Sequence, residues 1–371
     1  MPSVTYLNPT AWGDFTGVNK VIWSLGYVLA DSKFMAIFSI LFGCGVVLFT
    51  ERLMEKGIRS LNVHYRRTFW LLLFGLAHAY LFWYGDILVI YALCSFCVVL
   101  LRKKRPLTLL LSGILLLLAG STLNFLFGTS IPNMPKEALE DLLISWQSTP
   151  ELLTKEIEIY RSSFFDQVPF RVNEAFGMQT MVFFYYFFWR VSGLMLIGMA
   201  LYKWGILTAL KSRAFYTRLV LFCLIPGYLI VGFGLKQNLS HGFKMEYSFF
   251  LGSLYNYWGS VLVSVGYISL VMLGVLLAKG GLIINSLKAV GQMALTNYLM
   301  QTIICTFIFY GHGFGLFAMV ERPMQMVIVF AVFSAQMIYS PIWLKYYKYG
   351  PFEWIWRSLT YWKPQSFKLQ T

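Results

Sequence analysis

Of the 30 Lys and Arg residues in this chain, only Arg190 falls inside a long apolar run, Met181-Val-Phe-Phe-Tyr-Tyr-Phe-Phe-Trp-Arg190-Val-Ser-Gly-Leu-Met-Leu-Ile-Gly198. Every other basic residue lies between apolar runs or at their ends. A bilayer enforces such segregation, because a charged side chain at its centre costs at least ~2.5–3.5 kcal/mol. Only 12% of the residues are charged and 58% are hydrophobic, whereas a soluble domain carries roughly twice that charge. Lipid is therefore the solvent for most of the chain.

A spanning helix needs about 20 mostly apolar residues. Nine runs qualify as candidates: 33–50, 68–84, 87–101, 106–128, 178–203, 216–236, 248–278, 290–311 and 323–344. The second and third are joined by little more than Gly85-Asp86 and predict a tight helical hairpin. Closed β-barrels are the other spanning solution, but runs this continuous do not alternate as barrel strands do. The expected fold is an all-α polytopic bundle of about nine spans.

Loop charge orients it. Loops 51–67, 102–105, 203–218, 279–289 and 345–371 hold 20 Lys/Arg and three acids, while 1–33, 84–86, 128–177, 236–247 and 312–322 hold nine Lys/Arg and 13 acids. The first set is expected in the cytoplasm, together with the carboxyl terminus. The net charge of +14 is then a topology signal. Nucleic-acid binding is not expected, since the basic stretches are short and flank apolar runs.

The chain divides into an extracytoplasmic segment 1–32, four spans over 33–128, an extracytoplasmic stretch 129–177, five spans over 178–344 and an interfacial tail 345–371. Within 129–177, Leu139–Trp146 and Glu151–Tyr160 have helical apolar spacing and predict two amphipathic helices, either an interfacial connector or a lid. In the tail, Glu353 and Arg357 are spaced to pair. Asp31 and Lys33 open the first predicted span and are placed to pair at the interface. Cys94 and Cys97 have redox spacing, but that spacing equally packs two small residues on one helix face.

Arg190 is the first candidate for chemistry. Near mid-membrane, a guanidinium either fixes packing through a buried ion pair or binds a carboxylate, phosphate or pyrophosphate; Asp86 and Glu174 are candidate partners. His78 lies about halfway along its run, where an imidazole can act as base, acyl carrier or proton relay. Asp86 either caps the next helix or orients His78. Asn297 and Gln301 share a helix face, to tie helices together or to contact substrate. No metal-ligand spacing, phosphate loop, dinucleotide fingerprint or nucleophile elbow is present.

Several strings together resemble the YeiB family of bacterial inner-membrane proteins. They are Tyr6-Leu-Asn-Pro-Thr10, Lys33-Phe-x-x-Ile-Phe-Ser-Ile-Leu-Phe-Gly43, Gly75-x-x-His78, Trp83-x-Gly-Asp-Ile-Leu88, Leu196-Ile-Gly-Met-Ala200, Met293-Ala-Leu-Thr-Asn-Tyr298 and Gly350-Pro-Phe-Glu-Trp354 with Arg357-Ser-Leu-Thr-Tyr361. The resemblance covers nearly the whole chain. The family is distantly similar to membrane acyltransferases, which implies transfer of an acyl group from cytosolic acyl-CoA to an envelope glycan or lipid acceptor. In that scheme acyl-CoA is a co-substrate, no cofactor is bound tightly, His78 is base or acyl carrier and Asp86 orients it. Arg190, Asn297 and Gln301 bind substrate, and Arg66 and Arg67 meet the CoA phosphates. The alternative is a transporter of a small anionic solute, with Arg190 as the binding charge and His78 as the relay. A structural membrane subunit without chemistry is a third possibility. Family members usually begin with a further helix ahead of the Tyr-Leu-Asn-Pro string, which implies ten spans in a full-length member.

Overall fold

The computed structural model describes residues 1–277 and 280–369. Ala278 at the end of the seventh predicted run, Lys279 and the tail residues 370–371 lie outside the described residues. The helices are, in chain order, α1 (Gly17–Leu29), α2 (Lys33–Glu55), α3 (Ser60–Leu81), α4 (Leu88–Val98), α5 (Pro106–Ser130), α6 (Lys136–Trp146), α7 (Pro150–Arg161) and α8 (Val168–Gly177). A π-helical stretch, Met178–Phe187, leads into α9 (Phe188–Lys203). There follow α10 (Arg213–Ser240), α11 (Met245–Ser248), α12 (Leu251–Leu277), α13 (Leu282–Gln292), α14 (Ala294–Phe309), α15 (Arg322–Trp343) and α16 (Pro351–Tyr361). Among the described residues the one β feature is an isolated bridge between Tyr347 and Lys368. The protein is an all-α helical membrane protein.

Among the described residues, six segments are long and apolar enough to cross a bilayer: Gly17–Glu55, Pro106–Asn133, Val168–Lys203, Arg213–Ser240, Met245–Leu277 and Arg322–Trp343. The apolar helices Leu88–Leu101 and Ala294–Phe309 are shorter. The second predicted run lies in α3, whose first two turns carry His64, Arg66 and Arg67. Two boundaries differ from expectation. A helix, α1, precedes the first predicted run and is separated from α2 only by a break at 30–32, where Ser32 has φ +62°. The eighth run is interrupted at Met293, and the stretch before it, expected as a loop, is the amphipathic helix α13 with Leu282 and Ile283 exposed.

The chain folds as two compact units, one of Met1–Leu48, Cys97–Glu156 and Val182–Ala278, the other of Phe49–Phe96, Ile157–Met181 and Lys279–Thr371. In the first unit α9 is the central element. Every residue from Arg190 to Leu201 is buried, as expected of a helix apolar on all sides. Its small residues let neighbours approach closely, the usual means of packing helices in lipid. A Cβ on Gly193 would lie 2.8 Å from the carbonyl oxygen of Gly113 on α5. One on Gly198 would run into the backbone of Ile40 on α2, and one on Gly43 into the backbone of Met195. α10 packs on α12 in the same way through Gly227, Gly234, Gly259 and Gly266. The opposite stripe of α10, Phe222, Ile225, Leu229 and Phe233, is exposed and suits contact with lipid tails. α6 is anchored here by Trp146, whose indole donates to the carbonyl of Phe243 at 2.9 Å.

In the second unit α3 packs against α8 and α16, and α13 and α14 against α15. The tail helix α16 is held by its acid. Glu353 accepts from the Thr296 amide (2.9 Å) and hydroxyl (2.5 Å), capping the amino terminus of α14, where a carboxylate is favoured. The expected Glu353–Arg357 pair does not form, because the Arg357 guanidinium stacks on Tyr349 at 4.4 Å instead. The Cys94–Cys97 spacing places Cys94 in the interior and Cys97 at the surface, so the two do not share a packed face.

Candidate functional site

The second unit holds a buried histidine–carboxylate pair. Gly75 on α3 lets α4 approach, since a Cβ there would lie 2.6 Å from the amide nitrogen of Val89. That close approach folds the hairpin back so that Asp86, in the turn, reaches the face of α3 carrying His78. The ring Nδ1 of His78 lies 2.8 Å from Oδ1 of Asp86. Oδ2 of Asp86 accepts from the Val89 amide at 2.8 Å and so caps α4. The two sequence readings of Asp86, as cap and as orienter, are thus both met by one carboxylate, one oxygen each. Tyr298 on α14 adds a third member. Its hydroxyl donates to Asp86 Oδ1 at 3.1 Å, and its ring lies 5.0 Å from the imidazole. His78 and Asp86 are buried, and Nε2 of His78 has no hydrogen-bond partner.

Such a pair fixes a tautomer. With Nδ1–H donated to the carboxylate, Nε2 presents its lone pair, the arrangement of a general base or nucleophile. Sequence reading missed Tyr298; the signal available was a phenol in mid-span, whose hydroxyl needs a partner when buried.

It also missed Arg171 on α8. This buried guanidinium donates to the carbonyls of Leu81 (2.6 Å), Phe82 (3.1 Å) and Phe164 (3.3 Å). The first two are the free carbonyls where α3 ends, so Arg171 caps that helix just before the turn that delivers Asp86. His312, in the turn after α14, lies at 5.5 Å from Phe164. Burial, and next the charge of Arg171, hold its pKa below 6.5. Arg171→Met is expected to cost about 3 kcal/mol through the lost charge-assisted bonds, read as a fall in Tm, and to raise the His312 midpoint in a ring-proton NMR titration. A histidine depressed in the folded state adds stability above its unfolded pKa that is lost as pH falls. The wild type should therefore lose more stability than the variant between about pH 7 and pH 5.

The remaining predicted residues of this unit are tied to neighbours. Asn297 donates to Val290 O (3.0 Å) and Ser340 Oγ (3.2 Å) and accepts from Tyr339 Oη. Gln301 donates to Gln336 Oε1 at 2.8 Å, and Gln336 returns a bond to the Asn297 carbonyl at 3.0 Å. These amides bind α14 to α15. Arg66 donates to the Thr360 carbonyl, and Arg67 lies between the rings of Phe49 and Trp356, 4.5 Å from each. Both arginines are thus held against α16 while remaining partly exposed.

Arg190 belongs to the first unit and has its own surroundings. It is completely buried and donates to the Tyr257 carbonyl (2.9 Å) and Ser260 Oγ (2.7 Å), with the Tyr257 ring 4.3 Å away. Its Nε has no partner. The acid within electrostatic reach is Asp31, rather than Asp86, which is engaged by His78, or Glu174. Asp31 and Lys33 are not in direct contact as expected. Asn256 stands between them, donating to Asp31 Oδ2 and accepting from Lys33 Nζ, each at 2.6 Å.

These features define a polytopic helical membrane protein with a buried histidine–aspartate pair in one unit and a buried arginine–lysine cluster in the other. Over 354 residues it is 35% identical to the uncharacterized protein YxaH of Bacillus subtilis (strain 168), covering 91% of this chain and 82% of that protein. It is 30% identical to the uncharacterized protein YeiB of Escherichia coli (strain K12), covering 97% and 90%. An uncharacterized 39.9 kDa protein in the amylase 3' region of Bacillus acidopullulyticus is 27% identical over 93% of this chain and 84% of its own length. Residues 201–363 match the family described as "Protein of unknown function (DUF418)". The chain belongs to this YeiB-type family. No solved structure matches it.

Proposed function

We propose that this protein is a membrane-bound acyltransferase of the bacterial inner membrane, with its carboxyl terminus in the cytoplasm. It would move an acyl group from cytosolic acyl-CoA to an envelope acceptor. The observation that carries this reading is the His78–Asp86 pair, with Nε2 unbonded. Nε2 takes the proton of an acceptor hydroxyl as that oxygen attacks the thioester carbonyl. The carbon–sulfur bond breaks, and the thiolate of CoA recovers the proton from the imidazolium. Asp86 stabilises the charged ring in between. The same Nε2 can instead attack the thioester itself and carry the acyl group transiently. Arg190, in the first unit, is a separate anion-binding group. The test is release of free CoA thiol from acetyl-CoA and longer acyl-CoAs by the purified chain in lipid nanodiscs. Thiol release above the empty-disc rate is expected; neither binding nor turnover of any acyl-CoA overturns the reading.

Buried Lys33 and Arg190, with Asp31 at the surface beside them, favour a second reading, transport of a small anionic solute, because ionisable residues gathered at a broken helix mark substrate sites in transporters. Flux into proteoliposomes that needs no acyl-CoA and is lost in Arg190→Ala selects it.

A further inference from the structure

The first unit buries two cations without giving either a carboxylate in contact. Lys33 and Arg190 are both fully enclosed. Lys33 Nζ is bonded to the Tyr27 carbonyl at 2.5 Å and to Asn256. Arg190 uses only two of its nitrogens and leaves Nε, on a side chain with no exposure, without a partner. Among the described residues, Asp31 is the acid whose charge reaches both, and it is linked to Lys33 through the Asn256 amide. Two cations on side chains with no exposure, neither touching a carboxylate, are costly unless an anion shares the site. The break at 30–32 starts α2 beside these groups, so the positive end of a 23-residue helix adds to the same field. Tyr257 walls the guanidinium.

The access side is apolar. Asp31 is exposed, and so are Phe34, Phe38 and Leu41, which follow it at helical spacing. A ligand entering past Asp31 comes along a stripe suited to acyl chains. We infer that Asp31, Lys33, Asn256 and Arg190 form a binding site for a singly charged phosphate group carried on a lipid, with Arg190 Nε and Lys33 Nζ as its donors and Asp31 as the gate that limits its affinity. This deepens the anion-binding role given to Arg190, and it can stand if acyl transfer fails, because the experiment measures binding alone.

The experiment is native mass spectrometry of the full chain released from micelles doped with phosphatidylglycerol or phosphatidylcholine, with inorganic phosphate as competitor. The wild type should retain phosphatidylglycerol preferentially. Removing one cation, in Arg190→Gln or Lys33→Gln, should weaken retention about fivefold each, from the roughly 1 kcal/mol that one basic residue contributes near anionic lipid. Asp31→Asn should strengthen it by a similar factor, a gain that misfolding cannot imitate. Displacement by millimolar phosphate identifies the shared phosphate chemistry as open to a soluble source, and resistance to it identifies the lipid as the ligand. Equal retention of the two lipids by the wild type overturns the inference. So does unchanged or weaker phosphatidylglycerol binding in Asp31→Asn.

Discussion

His78→Ala is expected to abolish CoA release, by about 10²–10⁴-fold if the imidazole serves as general base. Asp86→Asn should fall nearly as far, because an asparagine can present the wrong dipole to Nδ1 and leave Nε2 protonated. The second variant is the more informative. Asparagine is as good an N-cap as aspartate, so the bond from the Val89 amide survives and the unfolding free energy should stay within about 1 kcal/mol of the wild type. Loss of turnover at preserved stability is the signature of an oriented base. Equal turnover by all three proteins removes His78 from the chemistry. A parallel loss of stability and turnover in Asp86→Asn assigns the pair to structure alone.

The largest effect on folding is expected at Gly198. An alanine there drives a methyl into the backbone of Ile40, and no rotamer change relieves a clash with a carbonyl. Overpacking with side-chain relief costs about 1–3 kcal/mol; a backbone–backbone clash should exceed that and leave no monodisperse protein in gel filtration. Gly43→Ala, at the other half of the same crossing, should behave alike. Gly45→Ala is the matched control. It sits on the same helix with nothing within 4 Å of its Cβ, so it should be neutral or stabilising by about 0.5–1 kcal/mol. Equal stability of Gly198→Ala and Gly45→Ala would show that α9 does not pack on α2 at this point.

Class and architecture were legible because they follow from local quantities. Run length and charge segregation need no knowledge of neighbours, and the two amphipathic helices of 129–177 emerge at Lys136–Trp146 and Pro150–Arg161. The short turn makes a His78–Asp86 contact possible without implying it, and its geometry depends on Gly75, whose importance appears only when α4 is laid against it. What escaped is long-range. Lys33 reads as an interfacial residue, and its burial is explained by the Tyr27 carbonyl and by the amide of Asn256, 223 residues away. Arg171 reads as one charge among the acids of an outer loop until the last carbonyls of α3 are found beside it. Asn297 and Gln301 had the right helix face, but a face does not say whether its partner is a ligand or a glutamine. The gap between α13 and α14 at Met293 is hidden because no proline marks it and the nearby Gly291 lies inside α13.

Asp86 uses one oxygen to begin a helix and the other to hold an imidazole. For a chain delivered to the bilayer piece by piece, this ties chemistry to biogenesis. The two groups are eight residues apart in sequence, so closing the α3–α4 hairpin involves little chain entropy. The hairpin therefore sets its own tautomer as soon as it forms, some 200 residues of synthesis before Tyr298 on α14 emerges to cover it. The His78–Asp86 geometry is a property of the hairpin itself, and α14 adds Tyr298 to it.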